Sequence, residues 1–239
     1  MKQVVKMMLV VCLTAHAAHG QQNESVKPND TTKTDVIKND APKKSNARSA
    51  AAKAKTTGEP FDTMSVAEMA KRCVTLKTDA GDIEIEMLPE AAPNSVRNFL
   101  NLAATRAYDG TLFNRTVKDF IIQGGDLSTR GTLSTSLATR ANRRVPDEPN
   151  YIKHTRGVVS MARGEEVDTA TTSFFILLSD ATHLDNKFAA FGRVTRGIEI
   201  VEAINRMPAD GEKPRTPARL TQAVVAACAV NAAAPVTTP

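Results

Sequence analysis

Residues 108–126 read YDGTLFNRTVKDFIIQGGD. In this segment Arg115 is separated by four residues from the apolar run 120–122, and Gln123 and two glycines follow that run. A short apolar run that ends in glycine and aspartate is typical of a β-strand that leads into a turn. The two glycines do not form a phosphate-binding loop, because no helix start and no lysine follow them.

Similar short apolar runs lie on both sides of this segment. A turn at residues 80–82 separates two runs of alternating apolar and polar residues, which predicts a β-hairpin with one buried face. Pro93 opens a segment with apolar residues at helical spacing, and a second such segment lies near Ile198. The pattern predicts a mainly β domain with two helices, either a sandwich or a closed barrel. The predicted strands cover residues 73–77, 83–87, 120–122, 157–161, 174–178, 188–194 and 220–228.

The N-terminal segment differs from the rest of the chain. Lys2 and Lys6 flank the start of an apolar run at residues 7–15, and small residues follow, so we expect a signal peptide at residues 1–20. A membrane anchor would need a longer apolar run, and a lipoprotein would need a small residue in place of Val11 before Cys12. We therefore expect no stable membrane insertion of the mature chain.

Composition divides the remainder of the chain into three parts. Residues 21–65 are polar and almost free of aromatic residues, so we expect a disordered linker there. The domain is predicted over residues 66–230, and we expect residues 231–239, rich in alanine, proline and threonine, to form a flexible tail. Cys73 and Cys228 remain after removal of the signal peptide, either as a disulfide or as buried thiols.

Several classes of chemistry find little support in the sequence. His154 and His183 have no cysteine or patterned carboxylate nearby, so we expect no metal site. Asp147 and Glu148 lie in a turn-like Pro-Asp-Glu-Pro segment, which favours a solvated turn over an acid/base pair. The net charge of +5 permits contact with nucleic acid, but no basic residues are interleaved with aromatic ones. We expect no cofactor and no nucleic-acid partner.

Five segments in order resemble the cyclophilin family over residues 73–230. Besides residues 108–126, they are GVVSMAR (157–163), TSFFILL (172–178), HLDNKFAAFGRV (183–194) and GIEIVEAI (197–204). The resemblance implies a closed eight-stranded antiparallel barrel capped by two α-helices. It also implies a monomeric peptidyl-prolyl cis/trans isomerase that acts on proline-containing polypeptides. Because the first and last strands meet in that fold, it further implies a disulfide between Cys73 and Cys228.

The matched motifs also imply the residues of the site. The catalytic residues carried over are Arg115, Phe120 and Gln123. The substrate-binding residues carried over are Ile121, Ala162, Arg163, Ser173, Phe175, His183, Leu184 and Phe188.

Four positions depart from the best-known members of the family. Asn114, Ser173 and Phe188 stand where a histidine, a glutamine and a histidine are usual, and His183 replaces a tryptophan. The segment 161–175 resembles the bacterial exported branch, so we expect a periplasmic or secreted protein. Two alternatives remain: a proline-peptide binding module or holdase with weak or no catalysis, and a nucleic-acid binder. The latter would use Arg140, Arg143 and Arg144.

Overall fold

The computed structural model describes residues 58–228. The predicted signal peptide 1–20, residues 21–57 of the predicted linker and the predicted tail 231–239 lie outside the described residues. Residues 58–65, also assigned to the linker, are packed against the domain instead. Phe61 is 8% exposed, and its backbone N–H donates to Asn101 Oδ1 at 2.8 Å. Arg97 donates to three backbone carbonyls of this segment, so the ordered domain begins upstream of residue 66.

Eight strands form one antiparallel sheet; each of the seven predicted apolar runs overlaps one of them, and β3 matches no predicted run. The alternation of residues 73–77 and 83–87 produces the expected hairpin, because every second side chain faces the core. The strands of this sheet are β1 Arg72–Thr78, β2 Gly81–Met87, β3 Arg115–Val117, β4 Ile121–Gly124, β5 Val158–Met161, β6 Phe174–Leu177, β7 Ala190–Arg196 and β10 Leu220–Ala227. Between β7 and β10, a separate two-stranded hairpin consists of β8 Ala209–Asp210 and β9 Lys213–Pro214.

The sheet order is β10-β1-β2-β7-β5-β6-β4-β3, and all seven neighbouring pairs are antiparallel. The expected closed barrel is not confirmed, because the edge strands β3 and β10 do not pair with each other in the described part of the chain. The segments that precede these strands do meet. Leu112 pairs with Arg219 in an isolated bridge, and the Phe113 N–H donates to the Ala218 carbonyl at 2.9 Å. The fold is therefore a curled, eight-stranded half-barrel.

Both predicted helices are present. Pro93 lies in the first turn of α2, where its missing N–H costs no hydrogen bond. Phe99 of α2 is fully buried, with its ring centroid 4.9–5.3 Å from those of Tyr108, Phe174 and Phe191. This aromatic group forms the centre of the main core. The four α-helices of the described residues are α1 Val66–Met69, α2 Pro93–Ala104, α3 Thr135–Ala141 and α4 Ile198–Asn205.

A disulfide joins Cys73 in β1 to Cys228, the residue that follows β10. Their Cα atoms are 4.8 Å apart, and 155 positions of sequence separate them. The Cys228 N–H donates to the Lys71 carbonyl at 3.0 Å, which extends the pairing of the two strands. This is the pairing that the cyclophilin resemblance implied.

None of the helices between residues 58 and 228 is long and apolar enough to cross a membrane.

Candidate active site

A second hydrophobic cluster, distinct from the main core, contains six of the predicted site residues. Ile121 of β4 and Phe175 of β6 are its buried members from this set, each 5% exposed. The others are only partly buried, so they present apolar surface at the edge of the cluster. These are Phe120, Ala162, Leu184 and Phe188. We call this set of six the groove cluster.

Strand register places Arg115 next to the groove cluster. Arg115 lies directly opposite Gln123 in the β3–β4 pair, and Gln123 lies opposite Phe175 in the β4–β6 pair. Directly opposite residues project from the same face of a sheet, so the three side chains form a row. The Arg115 Nη1 donates to Gln123 Oε1 at 3.1 Å. The guanidinium therefore lies beside an apolar surface.

Glu212 completes the setting of Arg115, and no sequence motif points to it. It lies in the turn between β8 and β9, 97 positions from Arg115 and outside every motif. The Arg115 Nε donates to Glu212 Oε2 at 2.7 Å, and the Thr116 N–H donates to the Glu212 carbonyl at 2.8 Å. The hairpin turn thus contacts both the side chain of Arg115 and the backbone of the next residue.

His183 and Leu184 reach the groove cluster from a 3₁₀ turn, Thr182–Leu184. The His183 ring stacks on Phe120, with centroids 5.8 Å apart and an interplanar angle of 28°. Leu184 packs against the cluster, and its N–H donates to the Ala181 carbonyl at 2.9 Å. The turn therefore brings two predicted residues to the Phe120 side of the groove.

A buried histidine holds the end of this turn. The His154 N–H donates to Asp185 Oδ1 at 2.8 Å, and its ring nitrogens lie 3.3 Å from the same oxygen and 3.2 Å from Ser160 Oγ. Burial lowers the pKa of His154, while the hydrogen bond with Asp185 opposes that shift. Because Ser160 is fully buried, this hydroxyl, imidazole and carboxylate cannot act on an external substrate. Their role is to fix Asp185 next to Leu184.

Arg163 and Phe188 form the opposite side of the groove. The Arg163 guanidinium carbon lies 4.7 Å from the centroid of the Phe188 ring, a cation–π contact, and the Phe188 ring meets Phe175 edge-on at 6.0 Å. Arg163 is 12% exposed and pairs with Asp147 at 3.0 Å. Its Nη1 also donates to the Gly164 carbonyl at 2.9 Å. Phe188, which departs from the usual histidine, thus has a specific partner in this chain.

Two polar positions of the motifs have clear surroundings. The Ala162 N–H donates to the Ser173 carbonyl at 2.9 Å, so Ser173 contacts this side of the groove through its backbone. Asn114 Oδ1 is buried and has no hydrogen-bond partner within residues 58–228.

The arginines proposed for nucleic-acid binding are partly neutralised. Arg140 and Arg143 both pair with Glu59, and the Arg140 side chain is only 10% exposed. A cavity of about 610 Å³ adjoins Arg140, but none of the predicted site residues lines it. This cavity is therefore not part of the groove.

Comparisons with known proteins agree with this geometry. Residues 73–225 match the family described as cyclophilin type peptidyl-prolyl cis-trans isomerase/CLD. The peptidyl-prolyl cis-trans isomerase-like 3 of Gallus gallus is 40% identical over 137 residues, which are 56% of this chain and 83% of the relative. A peptidyl-prolyl cis-trans isomerase of Acinetobacter baylyi is 35% identical over 145 residues, which are 59% of this chain and 75% of the relative.

A solved structure gives the same result. The crystal structure of a cyclophilin type isomerase from Cryptosporidium parvum, in the presence of the dipeptide Ala-Pro, superposes with a TM-score of 0.58 at 30% identity. The match covers 65% of this chain and 99% of that one. The protein described here belongs to the family of cyclophilin-type peptidyl-prolyl cis-trans isomerases.

Proposed function

We propose that this protein isomerises X-Pro peptide bonds of exported polypeptides, with Arg115 as the catalytic residue. The observation that carries the proposal is the position of Arg115: it is fixed by Gln123 and Glu212 beside the groove cluster. The family match gives the reaction, and the Ala-Pro dipeptide used with the Cryptosporidium relative gives the class of ligand.

The reaction needs only rotation about one bond. Resonance imposes a barrier of about 18–20 kcal/mol, and X-Pro bonds rotate in about tens to hundreds of seconds without a catalyst. When the amide twists, its nitrogen regains a lone pair that accepts a hydrogen bond. Arg115 carries a permanent charge and rigid N–H donors, so it stabilises the twisted amide more than the planar one. No proton transfer, nucleophile or cofactor is needed for this step.

The groove cluster supplies the binding surface for the proline ring. Phe120, Ile121, Phe175 and Leu184 offer apolar surface beside Arg115, so a ring held there leaves the rest of the peptide free to rotate. Gln123 Oε1 accepts from Arg115 Nη1, and the side-chain N–H groups of Gln123 are the donors for the peptide backbone. The Ala162 N–H is already bonded to Ser173, so the peptide backbone does not pair with that group.

Export is supported by two features. The first is the basic, apolar and small-residue order of residues 1–20, typical of a signal peptide. The second is the disulfide between Cys73 and Cys228, since such bonds persist in oxidising compartments. We therefore place the protein in the periplasm or outside the cell, in the bacterial exported branch of the family, acting as a monomer on proline-containing chains. Mass spectrometry of the mature protein should show an N-terminus after residue 17 or 20; retention of Met1 would contradict export.

A proline tetrapeptide assay tests the catalytic assignment. Arg115→Ala should lower kcat/KM by roughly 100-fold, the cost of removing one donor to a developing charge, while peptide affinity changes little. Arg206→Ala, an exposed arginine on the end of α4, is the matched control and should leave kcat/KM unchanged. An unchanged rate in Arg115→Ala would refute the mechanism.

The same assay distinguishes an active isomerase from a proline-peptide binding module, the alternative that Ser173 and Phe188 suggest. Such a protein would bind the tetrapeptide in an NMR titration, but its addition would not raise the isomerisation rate above that of the free peptide.

A further inference from the structure

Glu212 belongs to none of the family motifs, yet its carboxylate contacts the Arg115 guanidinium directly. Its Oε2 accepts a hydrogen bond from Arg115 Nε at 2.7 Å, and the two side chains are 56% and 36% exposed. We propose that Glu212 is a positioning residue, which fixes the plane of the Arg115 guanidinium for catalysis. This inference rests on the isomerase function proposed above.

The carboxylate is held in place through the backbone. The Glu212 carbonyl accepts a hydrogen bond from the Thr116 N–H at 2.8 Å, so the turn is attached to β3 one residue after Arg115. At the base of the hairpin, Arg215 pairs with Asp210 at 2.7 Å, and its N–H donates to the Pro208 carbonyl at 2.9 Å. The turn is therefore anchored at both its tip and its base, which limits the movement of the carboxylate relative to Arg115.

Two contacts determine the orientation of a planar group. Glu212 takes the Nε donor and Gln123 takes one Nη1 donor, so rotation of the Arg115 guanidinium would break at least one of these bonds. Arg115 Nη2 takes part in neither of these two hydrogen bonds. An arginine side chain that is one third exposed otherwise samples many rotamers, and catalysis is sensitive to displacements of about 1 Å.

The carboxylate also has an effect of opposite sign. The negative charge of the Glu212 carboxylate beside Arg115 Nε reduces the positive field that the guanidinium presents to the twisted amide. If this were the dominant effect, Glu212 would slow the enzyme. The positioning role therefore predicts a fall in rate when Glu212 is removed, whereas charge compensation predicts a rise.

The experiment compares kcat/KM in the tetrapeptide assay with the dissociation constant from an NMR titration. Glu212→Ala should lower kcat/KM about tenfold, with peptide affinity within about twofold of wild type. Glu212→Gln should recover to within about threefold of wild type, because its amide oxygen still accepts from Nε. Glu202→Ala, which removes the acidic partner of Arg156 and Arg206 on α4, outside the β8–β9 hairpin, is the control and should match wild type.

Two readouts distinguish positioning from a structural role. The Arg115 Nε–Hε NMR signal should shift in Glu212→Ala and stay in place in Glu202→Ala. In a background of Arg115→Ala, adding Glu212→Ala should change the residual rate by less than about twofold, since the residue acts through Arg115. The thermal midpoint should fall by no more than about 4 °C, because exposed ion pairs contribute little stability.

Failure of the inference is separable from failure of the proposed function. A wild-type or higher rate in Glu212→Ala, with Arg115→Ala inactive, overturns the positioning role alone. A tenfold additional loss in the double variant overturns it as well. A wild-type rate in Arg115→Ala overturns the catalytic assignment on which this inference rests, whereas wild-type protein that does not raise the isomerisation rate overturns the proposed function itself.

Discussion

Reduction of the disulfide between Cys73 and Cys228 should destabilise the domain without unfolding it. The bond closes a loop that contains almost the whole domain, since the two cysteines are 155 positions apart. In the chain-entropy description, opening a loop of this length returns about 17 cal/mol/K to the unfolded chain, or about 5 kcal/mol at 25 °C. Measured effects fall below this limit, so we expect a loss of about 3–5 kcal/mol.

The folded state should survive, because β1 and β10 remain paired from Arg72 to Thr78 after reduction. With a urea dependence of about 2 kcal/mol per molar for a domain of this size, the urea midpoint should fall by about 2 M. Isomerase activity at low urea should be unchanged, since no groove residue lies on either strand.

The assay is urea unfolding of the purified, oxidised protein with and without reductant. The double variant Cys73→Ala, Cys228→Ala is the control. Its urea midpoint should lie near that of the reduced wild type and should not change when reductant is added. Coincident midpoints for oxidised and reduced wild type would refute the reasoning. So would two free thiols in wild type denatured without reductant.

Three further outcomes can be measured. Burial holds the pKa of His154 below its ordinary value of 6.5, so on acidification the unfolded chain binds the proton before the folded protein does. The free energy of unfolding should therefore have its full value above about pH 6.5 and decrease as the pH falls below 6.5. His154→Gln should remove this pH dependence. A chain that begins at residue 66 loses the burial of Phe61 and should unfold about 2–3 kcal/mol more easily than one beginning at residue 57; equal stability would show that residues 58–65 add nothing. Arg163→Ala removes the cation–π contact with Phe188 and should weaken tetrapeptide binding about fivefold by NMR titration, and Arg163→Lys should not restore it, since lysine lacks the planar fork.

The sequence predicted seven of the eight strands of the sheet and both long helices, but not the three-residue β3, for a physical reason. Those elements bury one face, so their apolar residues recur at the period of the element, as in the hairpin 73–87. Helix α3 was missed because none of its residues is buried and its start is set by one hydrogen bond, from the Leu137 N–H to Ser134 Oγ. Such a helix carries no periodic signal.

Contacts made by a single residue could not be predicted from the sequence for a related reason. Phe61 is one aromatic residue in a polar segment, and composition cannot reveal that Asn101, forty positions away, accepts a hydrogen bond from its N–H. Closure of the barrel is not confirmed in the described residues, where contact between the two edges rests on the few residues around Leu112 and Arg219.

The edge position of β3 explains why a residue outside the motifs enters the site. β3 is three residues long and has a strand neighbour, β4, on one side only. Its other side is contacted by the β8–β9 turn, through the bond from Thr116 to Glu212. A short edge strand has few hydrogen bonds of its own, so the orientation of Arg115 depends on what covers that edge. The groove cluster lies on β4 and β6, on the 3₁₀ turn and on the residues next to β4, β5 and β7, and no residue of this hairpin belongs to it. Changes in the hairpin should therefore alter the rate of isomerisation while proline binding stays constant.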